Sequence, residues 1–180
     1  PMASANLLSH GTVSAPSAWV QRFAPMVRAG GTVLDLACGR GRHALFFADR
    51  GHRVDAVDRD PEAIAALAES GAVTALCADI EAGPWPYPGR SFDAVVVTNY
   101  LHRPLFPLLM AALSPGGVLI YETFAQGNEV YGRPSNPDFL LRHGELLQLA
   151  GNARVLAYED LVVESPRPAA VQRICAVSRG

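Results

Sequence analysis

Three acids and a pair of glycines have the spacing to do chemistry in this chain. Asp35 stands inside the apolar run Thr32-Val33-Leu34-Asp35-Leu36, four residues before Gly39. The run passes through Ala37 and Cys38 into Gly39-Arg40-Gly41-Arg42-His43-Ala44, where a helical pattern begins. Gly39 and Gly41 allow a sharp turn and admit a ligand without a Cβ in the way. A helix opening there presents free N–H groups and partial positive charge, which suit a carboxylate or phosphate. Gly39-x-Gly41-x-x-Ala44 also fits the dinucleotide pattern G-x-G-x-x-G/A. Asp35 tilts the choice, because a phosphate gains nothing from a carboxylate before the turn, whereas a cationic ligand does. The other acids, Asp58 and Asp79, each close a later β-rich run.

Positioning these residues takes strands that end together. The first strand is followed by a helix over 42–50, a second strand over 53–58 and a helix opened by Asp60-Pro61, with Ile64, Leu67 and Ala68 facing the core. A third strand spans 73–78, and the stretch 84–89 reads as a stiff surface connection. Three consecutive valines mark 92–98 as a strand buried on both faces. A short helix over 105–113, a turn at 114–117 and a fifth strand over 118–123 follow. The runs 154–164 and 168–178 have no helix between them and pair as an antiparallel hairpin. Before the first strand, Trp19, Phe23 and Met26 recur at helical spacing over 17–29, interrupted at Pro25. The expected fold is α/β: a doubly wound, mostly parallel, seven-stranded sheet with an antiparallel edge hairpin. Residues 1–16 read as a loose arm and 17–180 as a single domain.

Composition removes several classes of function. Of 180 residues, 49% are hydrophobic and 18% charged, which indicates a compact core. A net charge of −2 with no basic run argues against a nucleic-acid or acidic-membrane partner. All fifteen basic residues are arginine, so Schiff-base, pyridoxal-phosphate and Walker-lysine chemistry are excluded. Cys38, Cys77 and Cys175 are odd in number and sit in apolar strand contexts, as expected of buried reduced thiols in a cytoplasmic protein. No stretch reaches the roughly 18 apolar residues of a membrane helix. No His/Cys/Asp cluster has metal-ligand spacing, so no metal is expected.

The acid-containing strand, the glycine turn and the terminal hairpin together resemble the class I S-adenosylmethionine-dependent methyltransferases. Gly-Arg-His-Ala at 41–44 and Glu122-Thr123-Phe124 with Gly127-Asn128-Glu129 are similar to the tellurite-resistance-type branch. Ala37 departs from the pattern, standing where many members have the first glycine. The resemblance implies S-adenosylmethionine as cofactor, S-adenosylhomocysteine as product and a small-molecule acceptor methylated without a metal.

Ligands of open α/β sheets lie beyond the carboxyl ends of the strands, and the resemblance distributes the roles there. Asp35, Ala37, Cys38, the amides around Gly39 and Gly41, and Asn99 would hold the methionine end, with Arg42 or His43 at its carboxylate. Asp58 would take the ribose hydroxyls and Arg59 a face of the adenine. Asp79 and the amide of Ile80 would take the adenine edge. Tyr100, His102, Arg103, Glu122 and Phe124 face the substrate side, with His102 and Tyr100 as the candidates for catalytic base. Asn99-Tyr100-Leu101-His102 lacks the prolines of the amide methylases, which disfavours amide and nucleobase amines. The long stretch 124–143 is expected to form a lid that brings Glu129, Tyr131 or Arg133 to the substrate. Two other readings share these residues: a nicotinamide-dependent oxidoreductase using the glycine turn, and a non-catalytic binder of the same cofactor.

Overall fold

The computed structural model describes residues 13–180. Its strands are β1 (Thr32–Leu36), β2 (Arg53–Asp58), β3 (Thr74–Cys77), β4 (Phe92–Thr98), β5 (Leu113–Phe124), β6 (Arg154–Val163) and β7 (Ala169–Val177). They form one sheet in the order β3-β2-β1-β4-β5-β7-β6. β1 to β5 run parallel, and β7 lies antiparallel to both β5 and β6. Helices α1 (Ala18–Phe23), α2 (Arg42–Ala48) and α3 (Pro61–Ala68) cover one face; α4 (Phe106–Ala111) and α5 (Glu145–Leu149) cover the other.

Strand alternation explains both cores. Successive side chains of a strand point to opposite faces. In β4, Val95 and Val97 join the core beneath α4 and α5, while Ala94 and Val96 join the one beneath α1, α2 and α3. β1 divides in the same way, Leu34 and Leu36 against Val33, and so does β5, Leu119 and Tyr121 against Val118 and Ile120. A strand buried on both sides therefore reads as an unbroken apolar run. Local signals set the helix starts. Asp60 Oδ1 accepts from the amides of Glu62 and Ala63, and Pro61 follows it. Gly41 opens α2 at φ +80°, and a Cβ there would come within 2.6 Å of Leu67.

Tertiary context altered several local expectations. The helix expected over 17–29 ends at Phe23 and tightens into a 3-10 turn, Ala24–Met26, because Pro25 has no N–H to continue it. Met26 then points to solvent, 51% exposed. In α3 it is Ala63, not Ala68, that packs inward. Tyr87 in the expected surface connection is buried edge-on against Phe92. Residues 114–117 are part of β5, accommodated by a shift in its register with β4. Cys38 and Cys175 are buried, but Cys77, near the sheet edge, is exposed. Most of the expected arm over 1–16 lies outside the described residues. Among the described residues no helix is long and apolar enough to cross a membrane.

Candidate active site

The turn after β1 is built from left-handed backbone: Ala37 at φ +53°, Gly39 at +53° and Gly41 at +80°. A non-glycine residue in this region costs about 1–2 kcal/mol. Ala37 adopts the conformation even so, and the turn holds its shape through its neighbours. The Cys38 amide donates to Val57 O, the Gly41 amide to Cys38 O, and the Gly39 amide to Asp58 Oδ2 at 2.8 Å. Asp58 Oδ1 accepts from its own loop, at Asp60 N. A carboxylate has about four lone-pair sites, so each oxygen of Asp58 retains capacity for a further donor.

Asp35 is placed elsewhere. It is 2% exposed and lies behind the turn, where Oδ2 accepts from the Ala44 amide at 2.9 Å. Gly41 has no side chain with which to cap α2, and Asp35 supplies the missing cap from the neighbouring strand. Burial pushes its carboxyl up to about 7, against the opposing pull of the Ala44 bond and of Arg42. Beside it, burial raises the Cys38 thiol well above its usual range.

Beyond the strand ends lies a cavity of about 410 Å³. β1 contributes Ala37, β2 Asp58 and Arg59, and the end of β3 Ala78, Asp79, Ile80 and Glu81. After β4 come Asn99, Tyr100 and Leu101; β5 adds Thr123 and Phe124, and the following segment adds Pro134 and Phe139. Asp79 Oδ1 accepts from the amides of Glu81 and Ala82, and these bonds hold its carboxyl below the usual range. Asn99 sits at φ +55° with its amide donating to Glu122 O. The Tyr100 hydroxyl donates to Glu81 Oε1 at 2.8 Å, and burial together with this bond raises its pKa.

Of the residues expected at the site, Ala37, Asp58, Arg59, Asp79, Ile80, Asn99, Tyr100 and Phe124 meet at this cavity, and Gly39 braces it through Asp58. The others are committed elsewhere. The buried His43 ring accepts from Ser17 N on Nε2, placing its proton on Nδ1, 3.4 Å from Thr98 Oγ1. Burial and nearby Arg42 push His43 down to about 3. Arg42 donates to Ala15 O. Glu122 binds Ser17 Oγ and Arg173, because strand alternation turns it to the face opposite Thr123. Arg103 makes a two-pronged pair with Glu145 and also donates to the carbonyls of Asp138 and Leu140. The arginine bonds hold Glu145 down to about 2. His102 lies off the cavity wall, its Nδ1 3.9 Å from Glu81 Oε2.

The segment after β5 is anchored. It forms two 3-10 turns, Asn128–Val130 and Pro137–Phe139, and Ala125 bridges to Leu141. Glu129 accepts from Gly127 N inside its own loop, Tyr131 is 45% exposed, and neither Tyr131 nor Arg133 reaches the cavity wall. Pro134 and Phe139 reach it instead. Glu81, two residues after Asp79, was legible as an acid at a strand end; Thr123 and Phe139 carried no comparable chemical signal.

Five parallel strands in the order β3-β2-β1-β4-β5, closed by an antiparallel strand inserted between β5 and β6, with a cavity across the carboxyl ends, define the class I methyltransferase fold. Residues 33–117 match the family model described as a methyltransferase domain. TehB from Haemophilus influenzae superposes with a TM-score of 0.76 at 18% identity, over 94% of this chain and 64% of that one. An S-adenosylmethionine-dependent methyltransferase from Mesorhizobium loti gives 0.70 at 18% identity, over 89% and 98% of the two chains. Together these show that the chain has the fold of the class I S-adenosylmethionine-dependent methyltransferases, with TehB and the Mesorhizobium loti enzyme among its structural neighbours. It is also 29% identical over 167 residues to Hemagglutinin 1 of Eikenella corrodens, covering 85% of this chain. The chain spans about half the length of that curated relative, 53%.

Proposed function

We propose that this chain transfers a methyl group from S-adenosylmethionine to a small-molecule acceptor, without a metal. The observation that carries the reading is the cavity itself, which runs from the acids after β2 and β3 across the left-handed turn to Phe124. The residues present fit the cofactor. Asp58 retains acceptor capacity for a pair of ribose hydroxyls, and Asp79 Oδ2 is left over by the loop bonds that occupy Oδ1. Among the described residues the Ile80 amide donates to no protein group, so it can meet a ring nitrogen beside Asp79. Ala37, Gly39 and Asn99 would surround the amino-acid end.

The cofactor supplies an electrophilic methyl group on a sulfonium; the chain must supply alignment and exclude water. Tyr100 suits positioning better than proton abstraction, since its hydroxyl already donates to Glu81 and its pKa is raised. An acceptor whose nucleophilic atom arrives already deprotonated needs no base here. The assignment is tested by calorimetry with S-adenosylhomocysteine, S-adenosylmethionine, NAD and NADP. The expected result is binding of the first two only. Tight dinucleotide binding without sulfonium binding would overturn it. Activity with an identified acceptor should also survive exhaustive chelation.

A further inference from the structure

The cavity is divided by charge. Among the described residues, the charged side chains of its lining, Asp58, Arg59, Asp79 and Glu81, stand at the ends of β2 and β3, whereas the β5 side is Thr123, Phe124, Pro134 and Phe139. Charged residues do flank the β5 side, but none of them lines it: Arg133 and Asp138, next to Pro134 and Phe139, are exposed and off the cavity wall, and two others are bound elsewhere. Glu122 is held on the opposite face of the sheet by Ser17 and Arg173. The Arg103 guanidinium spends its donors on Glu145 and on the carbonyls of Asp138 and Leu140. Among the described residues, the polar side chain lining this side is the neutral Thr123.

We infer that the β5 side receives an uncharged, apolar acceptor, an aryl group carrying at most a neutral polar substituent. The inference rests on the methyltransferase reading and names the substrate class of that site. A carboxylate or phosphate brought here would lose water and meet, among the described lining of this side, no arginine in exchange. An ammonium would meet aromatic faces, but the carboxylate that lines the cavity nearest β4, Glu81, accepts from Tyr100 and stands at the end of β3. An aryl ring exchanges water for Phe124 and Phe139 and can give or take one hydrogen bond at Thr123.

The test titrates three probes of similar shape, p-cresol, 4-methylbenzoate and 4-methylbenzylamine, into the protein with and without saturating S-adenosylhomocysteine. Binding is read by ligand-observed NMR and calorimetry. The expected result is that p-cresol binds about ten-fold more tightly than either ion. The variant Phe139→Arg, on a half-exposed segment, should move the preference toward 4-methylbenzoate. Equal or tighter binding of the carboxylate or the amine, or no binding of any probe, overturns the inference. Failure of S-adenosylhomocysteine to bind sinks the methyltransferase reading instead, and the ranking on the ligand-free protein still decides this one.

Discussion

The two sides of the cavity are made differently. On the β2 and β3 side the chemistry sits at strand ends: Asp58 and Asp79 close their runs, amides two or three residues away hold one oxygen of each, and the Gly39 amide in the turn after β1 holds the other oxygen of Asp58. On the β5 side the wall comes from residues far apart in the chain, held by contacts that bypass the cavity. Arg103, after β4, pins the carbonyls of Asp138 and Leu140 and so carries Phe139 to its place. One side is charged and held mostly by nearby amides; the other is apolar and assembled by long-range contacts.

The comparison can be broken at four places. The largest effect is expected beneath the charged side. Burial raises Asp35 from 3.8 to about 7, so between those values the folded protein holds a proton that the unfolded chain has lost. Stability therefore falls as pH rises through this window. Asp35→Asn, which keeps an oxygen for the Ala44 amide, should match the parent near pH 4 and exceed it at pH 8 by up to about 4 kcal/mol. Urea unfolding across pH checks this; identical profiles would show that Asp35 is not a buried carboxyl.

Arg103→Ala strikes the apolar side. It leaves Glu145, with a side chain 4% exposed, without its main partner, and should cost roughly 3 kcal/mol of stability. Binding of p-cresol should weaken more than that of S-adenosylhomocysteine, and Arg103→Lys should restore only part of either loss. If cofactor affinity falls as steeply as aryl affinity, the two sides are not separable. At the charged side, Asp58→Ala removes charge-assisted hydrogen bonds worth roughly 1.5–3 kcal/mol, about a 10- to 100-fold loss of S-adenosylhomocysteine affinity by calorimetry. Unchanged affinity would take Asp58 out of the site. The smallest effects belong to Tyr131→Ala and Arg133→Ala. Since neither residue lines the wall, both should keep cofactor affinity and turnover within about two-fold. A large loss of turnover in either would restore them to a closing lid.

The strand–helix alternation, the glycine turn and the acids at its rim were legible from the chain alone. Those features rest on short-range rules: period-two burial in β1 and β4, the Asp60-Pro61 cap, and the left-handed backbone that Gly41 supplies. The chain alone also placed Asp58 and Asp79, because a residue that ends a parallel strand lies at the ligand edge whatever surrounds it. Tertiary structure decided which polar groups are free. His43, Arg103 and Glu122 have the right chemistry at the right strand ends. Yet Ser17, Glu145 and Arg173 claim them from 26, 42 and 51 residues away. Asp35, buried among its neighbours, accepts the Ala44 amide at the start of α2 for the same reason: a buried carboxylate needs a donor, and that amide is within reach. Spacing along the chain records where a side chain starts, while its partner is fixed only when distant segments pack and every buried polar group must be satisfied.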